Sequence, residues 1–381
     1  MTTLMLYGDS VRSPEIRHEI AEAIIDTIIF VEHEGQRVAI GSFLEAPILG
    51  AREDVIDQFW TDTELGIDDI LKDSSIGNDL IRAELARRAL DKLGATAVTV
   101  PSSFPVAVAD HLRGNGVDVR VDAELWAMRR RRKNPTELEG IERAQRAADV
   151  AMLSAAHMLR DAERTRQGEL RFEGEIVTAD WIREVMTAEL VAQGTESDEI
   201  LIQSGEASLG GHQPGSGPIL PDQPCIIDLF PRDRKTGVYT DMSRTFVPGT
   251  PSERVVEIHR HCLVALDIAF EALVPGASDA NRKVAEYFSS QGFATRLDSP
   301  DNEDLEEGFT HSLGHGVGLQ VHERPNFGLH RNEPLIEGDV VAIEPGLYLR
   351  GVGGVRLEDT VLITADGIER FTDPFPYDLQ P

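Results

Sequence analysis

Short apolar runs alternate with polar and amphipathic stretches through the first 130 or so residues. Residues 3–7, 27–31 and 37–40 read as strands, with Glu32-His33-Glu34-Gly35 as the turn between the last two and 14–23 as a helix. Residues 95–100 and 117–121 are again strand-like and flank a helix-like stretch at 104–113. Strands alternating with helices predict an α/β layer domain over residues 1–134, and no catalytic motif stands out in it. The pattern then changes period. Asn134-Pro135-Thr136-Glu137 has the form of a helix start: a capping side chain, proline at the first helical position and glutamate at the capping-box position. Leu138, Ile141, Ala144, Ala148, Met152, Ala155 and Leu159 follow every three or four residues, the apolar face of a long helix. Further helices are expected at 174–192 and 253–272, and strands at 199–204, 225–230, 238–246, 339–343 and 354–364. Helices beside a mostly antiparallel sheet predict an α+β domain over residues 135–381.

Composition narrows the function classes. The net charge of −29 repels nucleic-acid phosphates and anionic lipid, so no nucleic-acid or membrane partner is expected. The one basic run, Arg129-Arg130-Arg131-Arg132-Lys133, reads as a solvated strand-to-helix segment between the domains rather than a docking patch. No apolar run is long enough to span a bilayer, and residues 1–7 lack the features of a secretory signal. Cys225 and Cys262 do not form a CxxC pair, and the cytoplasm is the expected compartment.

Candidate chemistry lies in the second domain. Asp228 ends one apolar strand and Asp241 lies on the next, so a hairpin can set the two carboxylates facing each other, where they repel unless a proton or cation intervenes. His311, His315 and His322 fall within twelve residues of a chain with 11 histidines, and Gly314, Gly316 and Gly318 let backbone crowd around His315. Glu344 ends a buried apolar run. Glu358 is read as mid-strand, two residues from Arg356 on the same face. Either those two simply pair, or the glutamates belong with the aspartates. Pairing leaves Glu344, Asp228 and Asp241 unexplained. Four carboxylates instead balance two divalent cations, with His315 as the single nitrogen ligand. Such a donor set suits Mn²⁺, Co²⁺, Fe²⁺ or Zn²⁺, and two such ions can activate a water and clamp a polarised carbonyl.

The stretches IIDLFPRDRKTGVYTDMSRTF, HSLGHGVGLQVHERP, VVAIEPGLYL and GVRLEDTVLIT, in that order, resemble the creatinase / aminopeptidase P / prolidase family, whose catalytic domain has the pita-bread fold. The resemblance covers residues 135–375; the N-terminal domain is similar to the family's accessory domain in pattern and position alone. It implies a peptidase acting on a peptide with proline at the second position, two divalent metal ions with Mn²⁺ foremost, and a homodimer. It makes Asp228, Asp241, His315, Glu344 and Glu358 the ligands, with Asp241 and Glu358 shared between the ions. It further implies pocket roles for His212 and His311, contact with the scissile amide for His322, proton transfer at Glu344 and support of the carboxylates by Arg356. The Asp228–Asp241 spacing is longer than in many members, and Asn326 stands where dipeptidases of the family often carry arginine, with Arg324 nearby. A metal-free amidinohydrolase of the creatinase kind would lack ligands that are present here. A non-catalytic peptide-binding protein would not need them.

Overall fold

In the computed structural model, which describes residues 3–299 and 303–381, the strand Leu4–Gly8 pairs antiparallel with Ile28–His33, and that strand with Gln36–Gly41. Gln58–Thr61 adds parallel at one edge. Ala97–Val100 and Asp118–Val121 add parallel at the other. The six strands form one mixed sheet in a unit bounded at Met1–Arg130. Alternation along the strands decides which layer each residue meets. Met5, Ile29, Val31, Val38 and Ile40 pack against Leu85, Ala86, Ala89 and Leu90 of the helix Ile81–Leu93. Leu4, Leu6, Ile28, Phe30 and Ala39 pack on the other face against Ile16 and Ile20. The first helix, Pro14–Ile20, is shorter than its apolar pattern suggests, because Ala21 turns left-handed at φ 63° and closes it.

The second unit, Arg131–Pro381, opens with the expected capping box. The Asn134 side chain accepts from the Glu137 N–H at 2.9 Å, the Glu137 carboxylate accepts from the Asn134 N–H at 2.8 Å, and the helix runs Pro135–Arg160. The next helix begins at Ala179, not at 174. Thr178 caps it, and Gly174 at φ 89° turns the preceding residues into the small hairpin Leu170–Phe172 / Glu175–Ile176. The helix Glu253–Ala272 matches its pattern, and Ala280–Ser290 follows it.

These four helices back two antiparallel sheets. Helices Pro135–Arg160 and Ala179–Ala192 bury Met152, Ala155, Ile182 and Met186 against Ile200, Ile202, Ile227 and Leu229. Their sheet is Ile200–Ser204, Cys225–Leu229 and Met242–Phe246. Helices Glu253–Ala272 and Ala280–Ser290 bury Val255, Ile258, Leu266 and Phe288 with Val341, Ile343, Val361 and Ile363. These belong to a five-stranded sheet ordered Glu323–Asn326, Gly314–Gly316, Val340–Ile343, Asp359–Thr364, Gly367–Arg370. Apart from Arg244, the helix-facing positions of the strands are thus taken by apolar residues, which leaves Asp228, Asp241, Ser243 and Thr245 on the other face.

The basic run departs from its expected solvated, strand-to-helix form. It closes the helix Ala123–Arg131. Arg129 binds Glu19 and Glu32 within the first unit. Arg131 and Lys133 are buried in the second, paired with Asp339 at 2.5 Å and Glu323 at 2.6 Å. Buried cations need such partners.

Candidate metal centre

Asp228 and Asp241 reach the same region by a different register from a simple facing pair. Asp228 stands opposite Ser243, and Asp241 lies two residues before Ser243, just outside the strand Met242–Phe246. Both carboxylates share a face but are offset diagonally, because the intervening turn forms its own bridge, Arg232 to Tyr239. Thr360 fixes the backbone of Asp241. Its Oγ1 accepts from the Asp241 N–H and donates to the Asp241 carbonyl, each at 2.9 Å.

The residues 354–364 are not one strand. Gly353–Arg356 pairs with Gly346–Leu349, Asp359–Thr364 pairs with Val340–Ile343, and Glu358 lies in the gap. The Glu358 N–H donates to the Ser243 carbonyl at 3.0 Å, and the Ser243 hydroxyl donates back to Glu358 Oε2 at 2.8 Å. Arg244, wholly buried, donates from one Nη to the Ser243 and Glu358 carbonyls at 2.9 and 2.7 Å. Arg356 therefore does not pair with Glu358. Its Nη2 meets Asp228 Oδ2 at 2.6 Å and its Nε meets Ser243 Oγ at 3.0 Å.

His315 is the middle residue of the strand Gly314–Gly316. A Cβ at Gly314 would sit 2.0 Å from the Ala342 carbonyl oxygen, and one at Gly316 would sit 2.2 Å from the Arg324 carbonyl oxygen. Both flanking positions must be glycine for three strands to close around the imidazole. His315 Nδ1 lies 3.1 Å from the Gly316 carbonyl, while Nε2 points at Asp241 Oδ2, 3.6 Å away. An Nδ1–H given to the carbonyl leaves Nε2 as the free lone pair. Glu344 follows Val340–Ile343, its N–H held by the Leu313 carbonyl at 2.8 Å. Ligand atoms of Asp241, His315 and Glu358 all lie within 4.8 Å of one another.

The donor set fits divalent cations on three counts. Asp228, Asp241 and Glu358 are only 8%, 5% and 2% exposed. Asp228 Oδ1 and Asp241 Oδ1 are buried with no hydrogen-bond partner among the described residues, an expensive state unless something positive meets them. Burial, then the charges of Glu358, Asp228 and Glu344, drive the Asp241 carboxyl well above the usual range. Glu358 is driven up by burial and by Glu344 and Asp228, and Glu344 rises from 4.5 to about 7 through burial. One guanidinium cannot neutralise four carboxylates; protons or cations must supply the rest. Burial and the neighbouring His322 lower His315 to about 4, so it offers the neutral imidazole that a metal requires.

These shifts set a pH dependence. In the metal-free folded protein Glu344 keeps its proton up to about 7, whereas the unfolded chain releases it near 4.5. Between those values the folded state binds more protons, so the stability of the metal-free protein falls as pH rises through that window. Cations entering the site displace the same protons. Calorimetry at pH 6 in buffers of different ionisation enthalpy is expected to show proton release on Mn²⁺ addition, and affinity that strengthens from pH 6 to pH 8. Binding without proton release would refute the carboxylate assignment.

A cavity of about 830 Å³ opens onto Glu344, His315 and Arg356, and His212, His311 and His322 also line it. The His315 and His322 rings meet edge to face at 4.3 Å. Tyr348, not singled out in the sequence, lines the cavity and joins His311 to Arg356. Its hydroxyl is 3.0 Å from His311 Nε2 and 3.1 Å from Arg356 Nη1, and burial pushes it up to about 12, so it stays neutral. Its one local signal was its place two residues after Gly346 in EPGLYL. Arg324 and Asn326 turn to Glu333 Oε1, at 2.7 and 2.9 Å. Arg331, exposed and with no ion pair among the described residues, lines the cavity.

Residues 139–365 match the model of metallopeptidase family M24. The Xaa-Pro dipeptidase of Pyrococcus furiosus is 35% identical over 246 residues, 63% of this chain and 62% of that protein, so the match spans less than two thirds of that relative. The Xaa-Pro dipeptidase of Pyrococcus horikoshii is 31% identical over 288 residues, 73% of this chain and 74% of that protein. The solved prolidase of Pyrococcus horikoshii OT3 superposes with a TM-score of 0.72 at 23% identity, covering 98% of this chain and 94% of the other. An X-Pro aminopeptidase from Thermotoga maritima gives 0.75 at 19% identity, covering 99% and 97%. At those identities the likeness is one of fold, and it includes the N-terminal unit.

Proposed function

This chain belongs to metallopeptidase family M24, and from that premise we propose that it hydrolyses the bond between an N-terminal residue and a following proline, as an Xaa-Pro dipeptidase or aminopeptidase. The observation that carries the reading is the under-neutralised cluster of buried Asp228, Asp241 and Glu358 with half-buried Glu344 and His315, the last two lining a cavity large enough for a peptide. In this reading Asp228, Asp241, His315, Glu344 and Glu358 would hold two ions, with Asp241 and Glu358 serving both; Mn²⁺ would suit the oxygen-rich set. Bound there, such ions would supply polarisation of the scissile carbonyl and a lowered pKa for the attacking water.

The side chains do the rest. His322, held below the usual histidine range by desolvation of its ring and by His212, donates to the carbonyl oxygen as charge develops on it. Glu344, in the cavity wall, takes the proton of the water and returns it to the proline nitrogen, which leaves as a secondary amine. His212 and His311 line the peptide path. Arg356 holds Asp228 and Ser243 in place beneath it. Arg331 is available to a terminal carboxylate, which favours short peptides. We assign the chemistry to residues 135–381 and an accessory role to 1–134. A homodimer in the cytoplasm completes the proposal; the second part is supported by two buried, unpaired thiols, Cys225 and Cys262.

The test uses purified protein with Mn²⁺ and four substrates: Ala-Pro, Ala-Pro-amide, Ala-Pro-Ala and Ala-Ala. Release of alanine from the proline-containing peptides and not from Ala-Ala is expected, with Ala-Pro cleaved better than its amide. Equal cleavage of Ala-Ala, or none of any, would overturn the reading.

A further inference from the structure

His212 enters the cavity from an exposed loop, and something must hold that loop if the imidazole is to work at a defined place. We propose that Gln203 is the positioning residue for His212, its buried amide fixing the carbonyls of the two residues that flank the histidine. The proposal rests on the role given to His212 above.

Gln203 lies on the strand Ile200–Ser204, which pairs with the strand carrying Asp228. Ile200 and Ile202 face the helices, so Gln203 faces the other way, with Leu201 and its cross-strand partner Asp228. It is 0% exposed. Its Nε2 donates to the Gly211 carbonyl at 2.8 Å and to the Gln213 carbonyl at 2.6 Å, the residues on either side of His212. Both partners are carbonyl oxygens, so only the amide nitrogen can face them. Its Oε1 is buried with no partner among the described residues. A buried acceptor left unsatisfied is unfavourable, and an apolar side chain would fill the space without it. The residue is therefore there for its two donors.

The downstream half of the loop has its own anchors. Arg183 Nη2 donates to the Pro214 and Gly215 carbonyls at 2.6 and 2.8 Å, and the Ile202 N–H donates to the Pro214 carbonyl at 2.9 Å. Gly215, at φ 73°, has its Cβ position 1.9 Å from the Ile202 carbonyl oxygen and seals that contact. Upstream, the Gly351 N–H donates to Glu206 Oε1 at 2.7 Å and the Gly354 N–H to Ser208 Oγ at 2.6 Å; at Gly211 and Gln213, beside His212, the long-range hydrogen bonds among the described residues come from Gln203. His212 lines the same cavity as His311 and His322.

The experiment replaces Gln203 with leucine, which keeps the volume and removes both donors; Gln203→Met serves if the leucine variant does not fold. With Ala-Pro and Mn²⁺, Gln203→Leu should lower kcat roughly 10- to 100-fold with bound metal unchanged. In a His212→Ala background the same change should cost nothing further. Additive losses in the double variant, or loss of metal, would mean a merely structural role and overturn the proposal. A second readout does not depend on activity: deuterium exchange at residues 210–213 should speed up in Gln203→Leu, and unchanged exchange would also overturn it. A wild-type protein inert on every Xaa-Pro peptide would contradict the proposed function instead, and the exchange result would still decide the role of Gln203.

Discussion

Asp241→Asn is expected to abolish Xaa-Pro hydrolysis while the chain stays folded. Losing one preorganised electrostatic group costs about 10²–10³-fold in rate, and a carboxylate that helps hold the ions should cost at least that. The amide fits the same space and can keep the Asp241 backbone bonds to Thr360. It cannot supply the negative charge that the cations need. Its effect on stability should have the opposite sign from its effect on rate. In the metal-free protein Asp241 is a group that burial and three neighbouring carboxylates push toward its neutral form, so removing the charge relieves repulsion. Metal-free Asp241→Asn should melt no lower than metal-free wild type, and added Mn²⁺ should raise its melting temperature less. Metal content, initial rates and melting curves check the three parts. Full Mn²⁺-dependent activity in the variant would be incompatible with the site described.

Arg356→Leu should behave in the reverse way. Its guanidinium is buried, touches Asp228, Ser243 and Tyr348, and is the cation that partly offsets the cluster. Desolvation opposes that charge, but the carboxylates of Asp228, Glu344 and Glu358 favour it, and the group is held well above its ordinary pKa. Removing one member of a buried ion pair costs about 3–5 kcal/mol because the other is left uncompensated. That cost should appear in the metal-free protein at neutral pH and shrink when Mn²⁺ saturates the site, since the ions then neutralise the carboxylates. Denaturant unfolding with and without Mn²⁺ measures the difference. An equal loss in both conditions would show that Arg356 stabilises by packing rather than by charge.

Much of this was legible in the chain because the signals were local. The capping box at Asn134 and Glu137, the apolar face that follows it and the helix Glu253–Ala272 need no distant partner to be recognised. The glycines about His315 likewise predict close backbone, and the Cβ positions at Gly314 and Gly316 bear that out. What local pattern could not supply was long-range pairing. Residues 354–364 alternate well enough to look like one strand, yet Glu358 is drawn aside by Ser243, 115 residues away. The aspartates looked directly opposed because the turn between them gives no hint of its own bridge. The run ending in Lys133 looked solvated because its partners Asp339 and Glu323 lie 208 and 190 residues further on. Tyr348 and Gln203 escaped notice for the same reason: each matters through the groups it joins, and those are distant in sequence or belong to a loop without periodicity.

The central claim is that the five-residue cluster works by holding two divalent ions. The direct measurement strips the protein with chelator, removes the chelator and titrates Mn²⁺ while following both bound metal and Ala-Pro hydrolysis. The account predicts no hydrolysis at the start and a rate that saturates as two ions bind per chain. Undiminished hydrolysis by the stripped protein, or full activity with no metal bound, would contradict it.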